Sequence, residues 1–159
     1  MTAGWTITPE RAAGLRSGVR AEVRAALAGL PRADLAAWLA TPDGEGVLRT
    51  VFEQMPARYT GGITDGPQTA RWEVERTRAD TIAYDLVLGE DTCDVRERAI
   101  SSAPAVTLTL DAVSFVEMAS AAAQGMDLLF AGRLHIQGDV RLAMRMESLF
   151  GLAAPGEPT

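Results

Sequence analysis

Hydrophobic and polar positions first change rhythm between about residues 58 and 71 of this chain. Up to about residue 58, apolar side chains recur at three- and four-residue steps, the spacing of one helix face. Leu15, Val19, Val23, Ala26 and Leu30 form one such stripe between about Pro9 and Gly29, with Arg16, Arg20 and Arg24 beside it. Pro31 suits the first turn of a short second helix carrying Leu35, Trp38 and Leu39. The break at Thr41-Pro42-Asp43-Gly44 leads into a third, with Asp43 placed to cap it, Val47, Leu48, Val51, Phe52 and Met55 on one face, and Pro56 to stop it.

From residue 71 the period becomes two. Trp72 and Val74 alternate with Arg71, Glu73 and Glu75; Ile82, Tyr84, Leu86 and Leu88 with Ala83 and Asp85; Cys93 and Val95 with Asp94 and Arg96; Val106, Leu108 and Leu110 with Thr107 and Thr109. These are four strands with one buried face each, the first three close enough in sequence for an antiparallel meander. Asp111 is placed to cap a helix bearing Val113, Phe115, Val116 and Met118. Met126 to Phe130 form a short helix or turn, Gly132 to Gly138 a fifth strand, and about Asp139 to Phe150 a last helix. The expected architecture is α+β: a five-stranded sheet covered by helices on one face.

The last helix carries more apolar surface than one contact needs. Val140, Leu142, Ala143, Met144, Met146, Leu149 and Phe150 wrap around much of it, so a second apolar neighbour is required besides the sheet. Four of the six methionines, Met118, Met126, Met144 and Met146, lie in this part of the chain, and methionine suits pockets that adapt to varied ligands.

Composition narrows the function. With 159 residues, 47% of them apolar, the chain suits one domain with a substantial core. Its net charge of −6 argues against nucleic acid and against more than transient contact with an anionic membrane. Residues 1–44 are net +1, which opens the possibility of a protein partner or self-association through that segment. All fifteen cations are Arg, consistent with the GC-rich coding bias of some bacteria. A lone Cys93, no signal pattern and no long apolar run lead to the expectation of a cytoplasmic protein. Catalytic machinery is not assembled by any motif: there is one histidine, His135, on the polar parity of its strand, and no phosphate-binding glycine loop, nucleophile elbow or zinc cluster. Neither cofactor nor metal is expected. Glu147, Tyr84 and Arg145 are the residues that could serve chemistry if they faced a cavity.

Pro104-Ala-Val-Thr-Leu-Thr-Leu-Asp111, then Phe115, then Met126-Asp-Leu-Leu-Phe-Ala-Gly-Arg-Leu-His-Ile-Gln-Gly-Asp139, then Leu142-Ala-Met144 and Leu149-Phe150 resemble the sterol carrier protein type 2 family. The glycine-bounded strand, Gly-Asp and Leu-Ala-Met helix at 132–144 are the most specific part. The resemblance covers about residues 45–152. It implies an apolar tunnel between sheet and helices, and binding or carriage of a hydrophobic small molecule: fatty acid, acyl-CoA, sterol-like compound, polyketide or terpenoid. Phe115, Met118, Met126, Phe130, Leu142, Met144, Met146 and Phe150 are the expected lining, with Phe52 and Met55 as second choices. Residues 1–44 become an N-terminal helical extension and 153–159 a disordered tail. Two other readings stay open. One is an enzyme of bacterial specialised metabolism using the tunnel; the other is an interaction module docking to an enzyme through residues 1–44.

Overall fold

A computed structural model describes residues 7–17, 20–63, 66–77, 80–97, 104–120 and 122–150. The expected tail at 153–159 lies outside them. The helix expected over 9–29 is two helices, α1 (Pro9–Arg16) and α2 (Arg20–Leu27). They pack against each other, with Gly14 at a close approach: a Cβ there would stand 3.2 Å from Cβ of Ala26. Arg11 fixes the hairpin by donating from Nη1 to the carbonyls of Ala26 and Ala28, at 2.8 and 3.0 Å. Leu15 and Ala26, read as one stripe, therefore reach the core from separate helices.

After α3 (Arg32–Leu39) comes α4 (Pro42–Arg58), which runs through Pro56 rather than ending before it. Thr41, not Asp43, caps it, its Oγ1 accepting from the Gly44 amide at 3.3 Å. Gly44 is required by proximity: a Cβ there would overlap the backbone of Trp38 and Leu39. The corner between α3 and α4 is also held to the sheet. The Arg76 guanidinium donates to the carbonyls of Leu39 and Thr41 at 3.3 and 3.2 Å, and pairs with Asp80 and Glu45.

Strands β1 (Gln68–Thr77), β2 (Asp80–Leu88), β3 (Cys93–Glu97), β4 (Val106–Asp111) and β5 (Leu134–Gly138) form a sheet in the order β3-β2-β1-β4-β5. The first three make the antiparallel meander, β4 joins β1 in parallel, and β5 returns antiparallel to β4. Alternation selects the faces as expected: Trp72, Val74, Tyr84, Leu86, Leu88, Cys93, Leu108, Leu110 and Leu134 are buried. Arg96, His135 and Gln137 stand exposed on the other side. Asp85 departs from this rule. It shares the polar face yet is buried, because the register sets it opposite Arg71, whose Nε donates to it at 3.0 Å. A carboxylate held this way needs its cation, so the pair is maintained together.

On the apolar face, Phe52 of α4 stacks between Tyr84 and Phe115, with ring centroids 4.1 and 4.8 Å apart, and Trp72 meets Phe115 edge-on at 5.6 Å. Helix α5 (Ala112–Ala119) starts where Asp111 accepts from the amide and the hydroxyl of Ser114, at 3.0 and 2.6 Å. Losing such a cap costs about 1 kcal/mol, so Asp111→Ala is expected to lower the unfolding free energy by that amount, read as a lower urea midpoint at unchanged slope. An unchanged midpoint would show that the helix start is held by packing instead.

Candidate ligand cavity

The join between β5 and the last helix explains the Gly-Asp pair. Gly138 has φ +102°, and a Cβ there would come 2.5 Å from the Ala105 carbonyl, so only glycine lets β5 end beside β4. The Asp139 amide then bonds Ala105, and Asp139 Oδ1 accepts from the Leu142 amide at 3.2 Å. Those bonds start α7 (Val140–Leu149) and lay it against β4 and β5. Helix α6 (Gly125–Phe130) packs on β5.

Between these helices, α5 and the sheet lies a cavity of about 90 Å³. Trp72, Leu108, Leu134 and Ile136 form its sheet wall; Met118 lines it from α5; Gly125, Met126 and Leu129 from α6; Ala143, Met144 and Met146 from α7. Its volume is about a third of the ~300 Å³ at which small-molecule pockets begin. At that size it is a narrow apolar space between the sheet and the helices.

Of the ten residues expected to line a tunnel, the structure brings Met118, Met126, Met144 and Met146 together here. Phe52 and Phe115 lie in the aromatic stack, and Met55 and Leu142 are buried outside the lining. Phe150 packs against Tyr59 at 5.5 Å. Phe130 is 80% exposed. Trp72, Leu108, Leu129, Leu134, Ile136 and Ala143 were not singled out as lining by sequence. Strand parity turned four of them inward without telling which part of the core each would reach.

The second apolar side of α7 is not covered by another described element. Val140 and Met144, one turn apart, are 53% and 47% exposed. On α6, Met126 and Phe130 repeat that spacing, at 38% and 80%. Met126 and Met144 also line the cavity, so its mouth carries exposed apolar side chains, the kind of surface that marks an interaction site.

Among the described residues, the lining has no side-chain nitrogen or oxygen apart from the Trp72 indole. Tyr84 stands in the aromatic stack, and Arg145 donates to the Gly62 carbonyl at 3.2 Å. The side chain of Glu147 lies outside the described residues. His135 is exposed. Among the described residues no cluster of His, Cys, Asp or Glu could hold a metal, and no helix is long and apolar enough to cross a membrane. Burial, with help from the neighbouring Asp94 charge, pushes the Cys93 thiol up to about 12. Only the thiolate attacks electrophiles. Native protein at pH 8 is therefore expected to react with iodoacetamide far more slowly than unfolded protein. Equal rates would show an open, ionised cysteine. The sign for stability follows: the native state keeps a proton that the unfolded chain loses, so stability falls as pH rises from about 9 towards 12.

A family model described as the SCP-2 sterol transfer family matches residues 63–151. No curated protein matches the sequence. Among solved structures, palmitated SCP2L2 from Aedes aegypti, determined by NMR, superposes with TM-score 0.53 at 18% identity, covering 65% of this chain and 93% of that one. The crystal structure of the Aedes aegypti protein gives TM-score 0.50 at 18% identity, over 64% and 94%. The sec-alkylsulfatase Pisa1 from Pseudomonas sp. gives TM-score 0.53 at 18% identity, over 73% of this chain and 18% of that enzyme. At these identities the likeness is one of fold.

Proposed function

The chain belongs to the SCP-2 sterol transfer family, and from that premise we propose that it binds and carries a hydrophobic small molecule between its sheet and helices α5, α6 and α7. The observation that carries this reading is the composition of the cavity wall: ten apolar or glycine positions and one tryptophan, with two exposed methionines at the mouth. The driving force is burial of apolar ligand surface, worth roughly 25 cal/mol per Å² before the costs of association. Methionine side chains yield readily, so the space enlarges by rotation of Met118, Met126, Met144 and Met146 and outward movement of α6. The ligand classes proposed are fatty acyl chains, acyl-CoA, sterol-like compounds, and polyketide or terpenoid products. The palmitate named for the Aedes protein supports an acyl chain among them. An enzymatic use of the space gains no support from a described lining without acid or base.

Denaturing the purified protein and identifying what it releases by mass spectrometry tests the reading. A stoichiometric lipid-like molecule is expected, displaceable by a fluorescent fatty acid. Protein that releases nothing and also fails to take up the fluorescent probe would refute carriage.

A further inference from the structure

One polar atom in the cavity wall has nothing to bond. Trp72 is 2% exposed, and its Nε1 is fully buried with no hydrogen-bond partner among the described residues. Leaving a buried donor unpaired costs about 1–3 kcal/mol. Replacing the donor by a carbon of the same shape would avoid that cost, and the neighbouring positions of the same wall, Leu108, Leu134 and Ile136, are all hydrocarbon. The edge-on contact with Phe115 does not substitute for an oxygen acceptor, because N–H to ring contacts are second-order. The cavity that Trp72 lines is where an acceptor can come from.

We propose that Trp72 Nε1–H is the recognition point of the cavity, donating to a neutral oxygen at the deep end of the ligand. This rests on the binding function proposed above and narrows its ligand to oxygenated neutral lipids: a ketone, an ester, an ether or an alcohol. A carboxylate is the wrong partner at that depth. No described lining side chain carries a charge to offset it, and one neutral donor does not replace the solvation of an ion. A fatty acid held here therefore keeps its carboxylate at the mouth, beside Met126 and Met144, and leaves the indole unpaired. A pure hydrocarbon does the same.

The probes are 2-undecanone and undecane, matched in length and differing in one carbonyl. Their affinities are measured on the wild-type protein and on Trp72→Phe, which keeps an aromatic ring against Phe115 and removes the donor together with part of the indole, a loss of contact that both probes share and their ratio cancels. The ratio of ketone to alkane affinity is expected to fall about tenfold in Trp72→Phe, the size of one hydrogen bond. Independently of any variant, the carbonyl stretch of 2-undecanone bound to wild-type protein is expected at lower wavenumber than in alkane solvent. An unshifted band, or a ratio unchanged by the substitution, overturns the proposal while leaving carriage intact. If the wild-type protein binds neither probe, the binding function itself falls, and the role of Trp72 with it.

Discussion

A chain lacking residues 1–40 is expected to lose cooperative unfolding altogether. Leu15, Leu35, Trp38 and Leu39, contributed by α1 and α3, are buried in the same core cluster as Phe52, Trp72 and Phe115. Each such side chain contributes about 1.5–3 kcal/mol on burial, so together they are of the order of the ~5–15 kcal/mol that keeps a domain folded. Their removal also uncovers Val47, Leu48 and Val116, and takes one of two carbonyl acceptors from Arg76. Two measurements check this. The truncated chain should bind a dye for exposed apolar surface and show no sigmoidal urea transition. In the full chain, Gly44→Ala should lower stability by several kcal/mol, since the helix corner has no space for a methyl group. A truncated protein that unfolds within about 1 kcal/mol of the full chain would instead make residues 1–44 a separable extension, available for docking. The larger apolar side chains of α1 and α3 face the core.

Filling the cavity should separate stability from binding. Ala143 is buried on α7 and forms part of the wall. Ala143→Leu adds three carbons to a space of about 90 Å³. At roughly 24 cal/mol per Å³ of cavity removed, complete filling would stabilise by about 2 kcal/mol, and partial filling by about 1. The same carbons stand where the ligand must lie, so affinity for a fluorescent fatty acid should fall by about a hundredfold. Thermal unfolding without ligand and a binding titration read the two effects. A more stable variant with undiminished binding would move the ligand elsewhere, and the apolar cleft between Leu15, Val23, Val47, Val51 and Val116 would then be the next place to look.

The strands were legible because period-two alternation is a direct record of which face is buried, and the buried sets follow it from Trp72 to Leu134. The same logic misplaced Asp85. Its burial depends on facing Arg71 across the meander, a consequence of register that a single strand does not encode. The helix over 9–29 is two helices, and the close approach of Gly14 to Ala26 between them is a tertiary contact that helical periodicity does not record. At the cavity, methionine enrichment led to four lining residues. Size and hydrophobicity led away from it for the aromatics: Phe52 and Phe115 serve the stack, and Phe130 faces outward from a six-residue helix. Trp72 shows the limit most clearly. Parity placed it inside, but only packing reveals an indole nitrogen with no partner.

The parallel pairing of β1 with β4 also sets the order in which this protein comes into being. During synthesis at about 5–20 residues per second, the meander of β1, β2 and β3 can close as soon as it clears the ribosome. The middle strand of the finished sheet, β1, must then wait for β4 and β5 on its other side. Such distant pairings form late and slowly. Trp72 and Met146 face one cavity from opposite ends of that sequence. A chain that has formed only the meander therefore lacks most of the cavity wall, and the inner face of β4 stays uncovered until α7 arrives.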